Sequence, residues 1–260
     1  MNDMGTRLIS DHAADQAERA IAGWILSGRY REGDRLPGIP ELTAELGVSH
    51  PTLSKAIGRL KARRLVQIEP GEGVIVNSLN EFVGLDMICP MIDHCDETWR
   101  RLTLTCQFYD FIRPMLAEWA EQSAYRFTTE QLEWFNHYTL ALEDRFRLKS
   151  TRQMVGQAEY ELARVLAAGS GNFCSTFMIN PLQDLFMSEA LVAGQESILP
   201  SEAYRGVYNA LRSHDGKLAN RLIDEAFWKR ELVCIAELGK LGWTASGDPL
   251  TDSDAEPEAA

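Results

Sequence analysis

Between residues 11 and 62 the apolar positions of the chain recur at helical spacing. Ala14, Ala17, Ile21, Trp24 and Ile25 predict an amphipathic helix over 11–27, closed by Gly28. Ile39, Leu42 and Leu46 give a second, short helix its apolar side. Pro40 suits its first turn, where a missing N–H is no loss, and Gly47 suits the left-handed turn that ends it. Ser49 caps a third helix, begun by Pro51. There Leu53, Ala56, Ile57 and Leu60 make the inward stripe, which leaves His50, Thr52, Ser54, Lys55 and Arg59 on the outward side. The rhythm then changes. Apolar residues at 65–68 and 74–76 flank Pro70-Gly71-Glu72-Gly73, which predicts a two-stranded hairpin. Helix, glycine turn, helix and hairpin form a winged helix-turn-helix, a module whose second helix enters the major groove of DNA.

Asn77-Ser78-Leu79-Asn80 is a short polar break, and the expected boundary lies there. A winged domain over 11–78 precedes an all-α domain over 79–245, with a flexible stretch at 1–10 and a disordered acidic tail at 246–260. From 81 to about 242 the pattern is helical, with no alternating run. Helices are predicted over 81–90 (stopping near Cys89-Pro90), 96–126 (broken or kinked near Pro114) and 128–148. Others follow over 150–169, 172–193 (kinked at Pro181), 200–214 and 215–238. The expected fold is mainly α: a winged helix-turn-helix with a small two-stranded wing, then an antiparallel bundle of six or seven helices.

Charge sharpens this picture. The net charge is −12, yet residues 11–78 carry nine Lys/Arg and nine Asp/Glu, so the acidic excess lies outside the winged segment. An acidic whole argues against nonspecific adhesion to nucleic acid, not against a local docking face. The five cysteines are scattered and odd in number, which suggests reduced thiols in a cytoplasmic protein. No apolar run approaches membrane-spanning length, and the N-terminus lacks a signal-peptide pattern. His12, His50, His94, His137 and His214 are dispersed, and no nucleophile elbow, phosphate loop or His-Glu-x-x-His run occurs. No catalytic residues are expected.

The run from Gly23 to Val76, including the Gly33-Asp34-Arg35-Leu36-Pro37 turn, resembles the GntR family of bacterial transcription regulators. That resemblance implies a homodimer binding a pseudo-palindromic operator in double-stranded DNA, with repression the usual outcome. The implied DNA contacts are Arg35, Ser49, His50, Thr52, Ser54, Lys55, Arg59 and the wing tip at Gly71. Close relatives carry Arg at the positions of Pro40, His50 and Ser54 here. Arginine is the usual bidentate partner of guanine, so its loss implies a different operator or a greater share of phosphate contacts. Arg35, Lys55, Arg59, Lys61, Arg63 and Arg64 are the basic residues to supply them. The rival reading is a metabolite- or protein-binding sensor whose winged domain no longer reads DNA sequence.

The second domain is similar to the FCD-type helical effector domain of the FadR subfamily. Its landmarks are the Arg113 helix, LARVLAAGSGN at 162–172 and AYRGVYNALRSHDGKLANRLIDEA at 203–226. Many members hold a metal through one Asp and three His. The resemblance puts Glu159 at the Asp position and Ala163, Tyr204 and Ala226 at the His positions, so no metal and no cofactor is expected. Arg113, Glu159 and Tyr204 fall on inward stripes and are the candidate effector-binding residues. Either Arg113 and Glu159 close an internal salt bridge, or Arg113 anchors a carboxylate or phosphate while Tyr204 donates a hydrogen bond. The run Val83-Gly84-Leu85-Asp86-Met87-Ile88 is similar to the linker of fatty-acid-responsive members, which makes an acyl-CoA or related acid thioester a candidate effector.

Overall fold

The structure, a computed structural model, describes residues 3–95, 97–148, 150–188 and 201–241. The chain separates into two compact units, Met1–Asp96 and Glu97–Ala260.

The first unit contains α1 (Asp3–Leu26), α2 (Ile39–Leu46), α3 (His50–Ala62), β1 (Val66–Glu69) and β2 (Gly73–Val76). They are followed by α4 (Leu79–Phe82), a 3-10 turn at Leu85–Met87 and α5 (Ile88–Asp93). Gly47 ends α2 at φ 64°, a conformation that disfavours any side chain with a Cβ, and so makes the sharp corner into α3. Ser49 caps α3 by accepting from the Thr52 N–H at 3.4 Å. β1 and β2 pair antiparallel, with Val66 opposite Val76 and Glu69 opposite Gly73. Leu36 N–H donates to Val74 O and Val76 N–H donates to Asp34 O, both at 2.9 Å, so the 34–36 segment lines the other edge of β2.

Ile21, Leu42, Leu53, Leu60, Leu65 and Met87 are fully buried in one core. Burying each such side chain contributes about 1.5–3 kcal/mol, which is what holds short helices that would not persist alone.

Three features of this unit differ from the sequence expectation. α1 is already helical from Asp3, not from residue 11. Pro90 does not stop a helix; it lies in the first turn of α5, where no intrahelical N–H is missed. Residues 79–96, assigned by the sequence to the helical domain, belong to the compact unit of the winged head. Met87 enters its core, and the His94 ring lies so near Gly23 of α1 that a Cβ there would come within 2.8 Å of it. The polar break at 77–80 thus leads from β2 into α4 within the first unit, and burial of the residues behind it overrides its polarity.

The second unit holds α6 (Thr98–Arg126), α7 (Thr129–Arg147), α8 (Arg152–Gly169), α9 (Phe173–Ile179) and a 3-10 turn at Asn180–Leu182. α10 (Gln183–Met187), α11 (Ser201–Arg212) and α12 (Gly216–Lys240) complete it. Side chains announce the starts. Thr128 and Gln131 form a reciprocal capping box on α7, while Thr151, Asn172 and Asp215 cap α8, α9 and α12. Pro114 stands inside α6, which continues through it. Pro181 falls in the 3-10 turn that separates α9 from α10, so the helix expected over 172–193 is two short ones as far as Ser188. The end of that helix and the tail at 246–260 lie outside the described residues. α12 packs along α6, α7 along α8, and α10 along α8.

Candidate functional site

In the winged unit, exposed polar residues lie along α3 and around the hairpin. His50, Ser54 and Lys55 are exposed along α3, and His50 Nδ1 lies 3.4 Å from Ser54 Oγ. Arg35 and Gly71 are exposed on the wing side, Gly71 in the left-handed conformation at φ 85°. Ser49 is exposed, but its hydroxyl is bonded to the Thr52 hydroxyl at 2.8 Å.

Two outward assignments fail. Thr52 is buried at 7% exposure and closes the N-terminus of α3 together with Ser49. The helical stripe predicts its direction poorly because a residue in the first turn faces the preceding corner. Arg59 turns back onto α1, where it pairs with Asp15 and, at 3.5 Å, with Glu18. Arg63 also reaches Glu18, at 3.2 Å. The carboxylates of α1 recruit these arginines as braces between α1 and α3, a signal visible only once the two helices are brought side by side.

The helical unit contains a polar centre that is sealed from water. Glu159 of α8 is 1% exposed, and each of its carboxylate oxygens meets a different guanidinium. Arg152 Nη1 donates to Oε2 at 2.9 Å, and Arg230 Nη2 of α12 donates to Oε1. Tyr204 Oη of α11 donates to Oε1 at 3.4 Å. Arg152 Nη2 also donates to the Phe186 carbonyl at 2.9 Å. Gly156 makes that last contact reachable, because a Cβ there would overlap the Phe186 carbonyl.

Burial alone would raise the Glu159 pKa, but Arg230 and then Arg152 outweigh it and hold the carboxyl below its ordinary value. Burial, then Glu159, pushes the Tyr204 hydroxyl up, so it stays protonated and able to donate. Burial pushes Tyr109 up to about 12. Two guanidiniums thus share one carboxylate, a surplus of one positive charge among the described residues. The Nε–H groups of Arg152 and Arg230 are buried with no hydrogen-bond partner among those residues. Buried donors are normally paired, so these two mark where an acceptor is lacking.

Glu159 and Tyr204 are both buried, as their stripes predict, and they touch each other, but Arg113 does not join them. It pairs with Asp224 at 3.2 Å, Asp110 at 3.5 Å and Glu231 at 3.6 Å, with its guanidinium over the Trp228 ring at 5.1 Å. Neither the Arg113–Glu159 bridge nor an anion anchor at Arg113 fits this geometry, since three carboxylates already surround the cation. Arg152 and Arg230 were missed by sequence. Arg152 opens α8 and looks like a helix-terminal surface residue, and Arg230 lies in the charged string Lys229-Arg230-Glu231. Only their i+7 relation to Glu159 and to Ile223 respectively hints at inward faces.

Residues 13–76 match the family described as bacterial regulatory proteins, gntR family. The N-terminal domain belongs to the GntR family. Across more of the chain, the Escherichia coli galactonate operon transcriptional repressor is 22% identical over 203 residues, covering 76% of this chain and 86% of that protein. The fatty acid metabolism regulator protein of Shewanella halifaxensis is 26% identical over 173 residues, covering 66% of this chain and 69% of that one. Among solved structures, Lar, described as controlling expression of the Listeria monocytogenes agr system, aligns with a TM-score of 0.58 at 16% identity. That alignment covers 86% of this chain and 96% of Lar, and it supports the fold.

The resemblance of the helical unit to metal-holding effector domains makes a metal the ligand to test first. The residues at the corresponding positions do not fit one. Both oxygens of Glu159 are taken by guanidiniums, Ala163 and Ala226 offer no donor, and Tyr204 keeps its proton. No group of three or more His, Cys, Asp or Glu side chains able to hold a metal occurs among the described residues. A cation brought near Glu159 would meet two fixed positive charges. No described helix is long and apolar enough to cross a membrane.

Proposed function

We propose that this GntR-family protein is a homodimeric transcription regulator, repressing by default, whose helical unit senses an anionic organic metabolite without a metal. The observation that carries the sensing half is the buried surplus cation: Arg152 and Arg230 around Glu159, each with an Nε–H lacking an acceptor among the described residues. A carboxylate or thioester-linked acid can accept from these donors, and arginine forks suit planar oxygen pairs. Galactonate-operon and fatty-acid regulators among the relatives make a sugar acid and a long-chain acyl-CoA the first compounds to try. The DNA half rests on Arg35, His50, Ser54, Lys55 and Gly71 each being exposed, on α3 and around the hairpin. An effector that binds two arrangements of the dimer with different affinity shifts the spacing of the two heads and so releases DNA.

A second reading has one observation in its favour. Thr52 is buried and Arg59 is paired with α1, which thins the reading face and leaves the head with no net positive charge. On that reading the head has lost sequence-specific binding and the protein acts as a sensor or scaffold.

Gel-shift titration of the full-length protein with its own promoter region separates the two. A specific, salt-sensitive shift released by an organic acid or acyl-CoA supports the regulator. No specific shift even at low salt moves the conclusion to the sensor or scaffold.

A further inference from the structure

α6 and α12 pack along each other in antiparallel register. Arg113 reaches Asp224 and Glu231, and the Tyr109 and Phe227 rings meet at 6.3 Å, which fixes the ladder between them. Two turns before Arg113 stands Cys106, and one turn after Glu231 stands Cys234. The register sets these two opposite each other, with the two thiols close enough to share a hydrogen bond. Both are free thiols; Cys106 is half-buried and Cys234 is buried.

We propose that Cys106 and Cys234 are a dithiol oxidised by peroxide to a disulfide that staples α6 to α12. The two sulfurs have unequal roles. Sharing that hydrogen bond holds the Cys106 thiol below its ordinary range despite burial, while the same bond and burial push Cys234 up. Cys106, also the more accessible, is the sulfur that attacks. Its thiolate displaces hydroxide from hydrogen peroxide, the S–O bond forming as the O–O bond breaks, and the hydroxide takes a proton to become water. Cys234 then attacks the sulfenic sulfur. The S–S bond forms, the S–O bond breaks, and the departing hydroxide takes the Cys234 proton as a second water. Two thiols lose two electrons to one peroxide, and a dithiol reductant reverses the change. The staple lies two turns from Arg113 on α6, one turn from Glu231 on α12, and on the same helix as Arg230 of the buried centre, so it constrains the helix that contributes to both clusters.

The test is covalent and does not depend on what the winged head binds. Full-length protein is reduced, treated with hydrogen peroxide, alkylated and digested without reductant for mass spectrometry. The expected product joins the Cys106 and Cys234 peptides, is lighter by two hydrogens, and is split by dithiothreitol. Cys234→Ser should leave Cys106 as a sulfenic acid captured by dimedone. Cys106→Ser should abolish the crosslink, and Cys174→Ser, at an exposed thiol of α9, should leave it intact. Oxidation of Cys174 in a sample where Cys106 and Cys234 stay reduced would overturn the proposal. So would a crosslink that pairs either of them with another cysteine.

Discussion

Arg113 on α6 and Arg230 on α12 belong to the same helical unit and both meet glutamate, but in opposite proportions. Arg113, with 22% of its side chain exposed, faces three carboxylates. Arg230, at 4%, shares a single fully buried carboxylate with Arg152. The first cluster is acidic and partly wet, so screening weakens every pair in it and no anion has reason to enter. The second is cationic and dry, and there each charge depends on its partner. Burial and the count of opposing charges, not the presence of an arginine on an inward stripe, decide which one can serve a ligand.

The comparison is broken most directly at Glu159. Glu159→Ala leaves two buried guanidiniums facing each other, and the expected loss of stability is about 3–5 kcal/mol in denaturant titrations. Replacing Arg152, Glu159 and Arg230 together with Met, Leu and Met should instead be neutral or stabilising by about 1–4 kcal/mol while abolishing response to an organic acid. If the triple variant still responds, the buried centre is not the sensor. The folded carboxyl is held below its unfolded value, so its contribution is complete above that unfolded value and disappears as pH falls through the folded one. The acid limb of a stability–pH profile should therefore flatten in Glu159→Gln, provided that variant folds at neutral pH.

Gly156 sharpens the same contrast with a smaller effect. A methyl group there would overlap the Phe186 carbonyl that accepts from Arg152. Gly156→Ala is expected to destabilise by about 1–3 kcal/mol through overpacking. Thermal unfolding unchanged in this variant would mean that α8 and α10 do not approach so closely.

Much of the architecture was legible because it rests on local signals. Gly47, Ser49 and Pro51 specify a corner and a helix start, and Leu53, Ala56, Ile57 and Leu60 specify one buried face. Thr128, Thr151 and Asp215 cap α7, α8 and α12 within a residue or so of where the pattern starts those helices. What stayed hidden depends on which elements become neighbours. Arg59 looks outward until α1 supplies Asp15 and Glu18, and the polar break at 77–80 looks like a boundary until Met87 enters the head's core. The centre was half legible: Glu159 and Tyr204 showed their faces, while Arg152 and Arg230 carry no local mark of burial.

A third arginine extends the comparison to the winged head. Arg59 braces α1 against α3, whereas Lys55 stands on the exposed face. Arg59→Ala should lower the melting temperature by an amount corresponding to about 1 kcal/mol and leave the salt dependence of DNA binding nearly unchanged. Lys55→Ala should do the reverse, weakening binding across sequences and reducing the slope of log affinity against log salt by about one contact. Salt titrations of both variants check this, and equal slopes would remove Lys55 from the interface.

The smallest effect is expected at Arg113. Arg113→Ala removes pairs of 3.2–3.6 Å, and its longest contact, at 3.6 Å to Glu231, falls short of a hydrogen bond. Burial holds Glu231 above the ordinary carboxylate value even with Arg113 opposing it. Without the arginine, Glu231 can take up a proton and so relieve its own buried charge. Partly exposed pairs contribute up to about 1 kcal/mol each, and this escape keeps the net change within about that range. A loss on the scale of Glu159→Ala would show that the acidic cluster is as dry as the cationic one, and the distinction between the two arginines would fall.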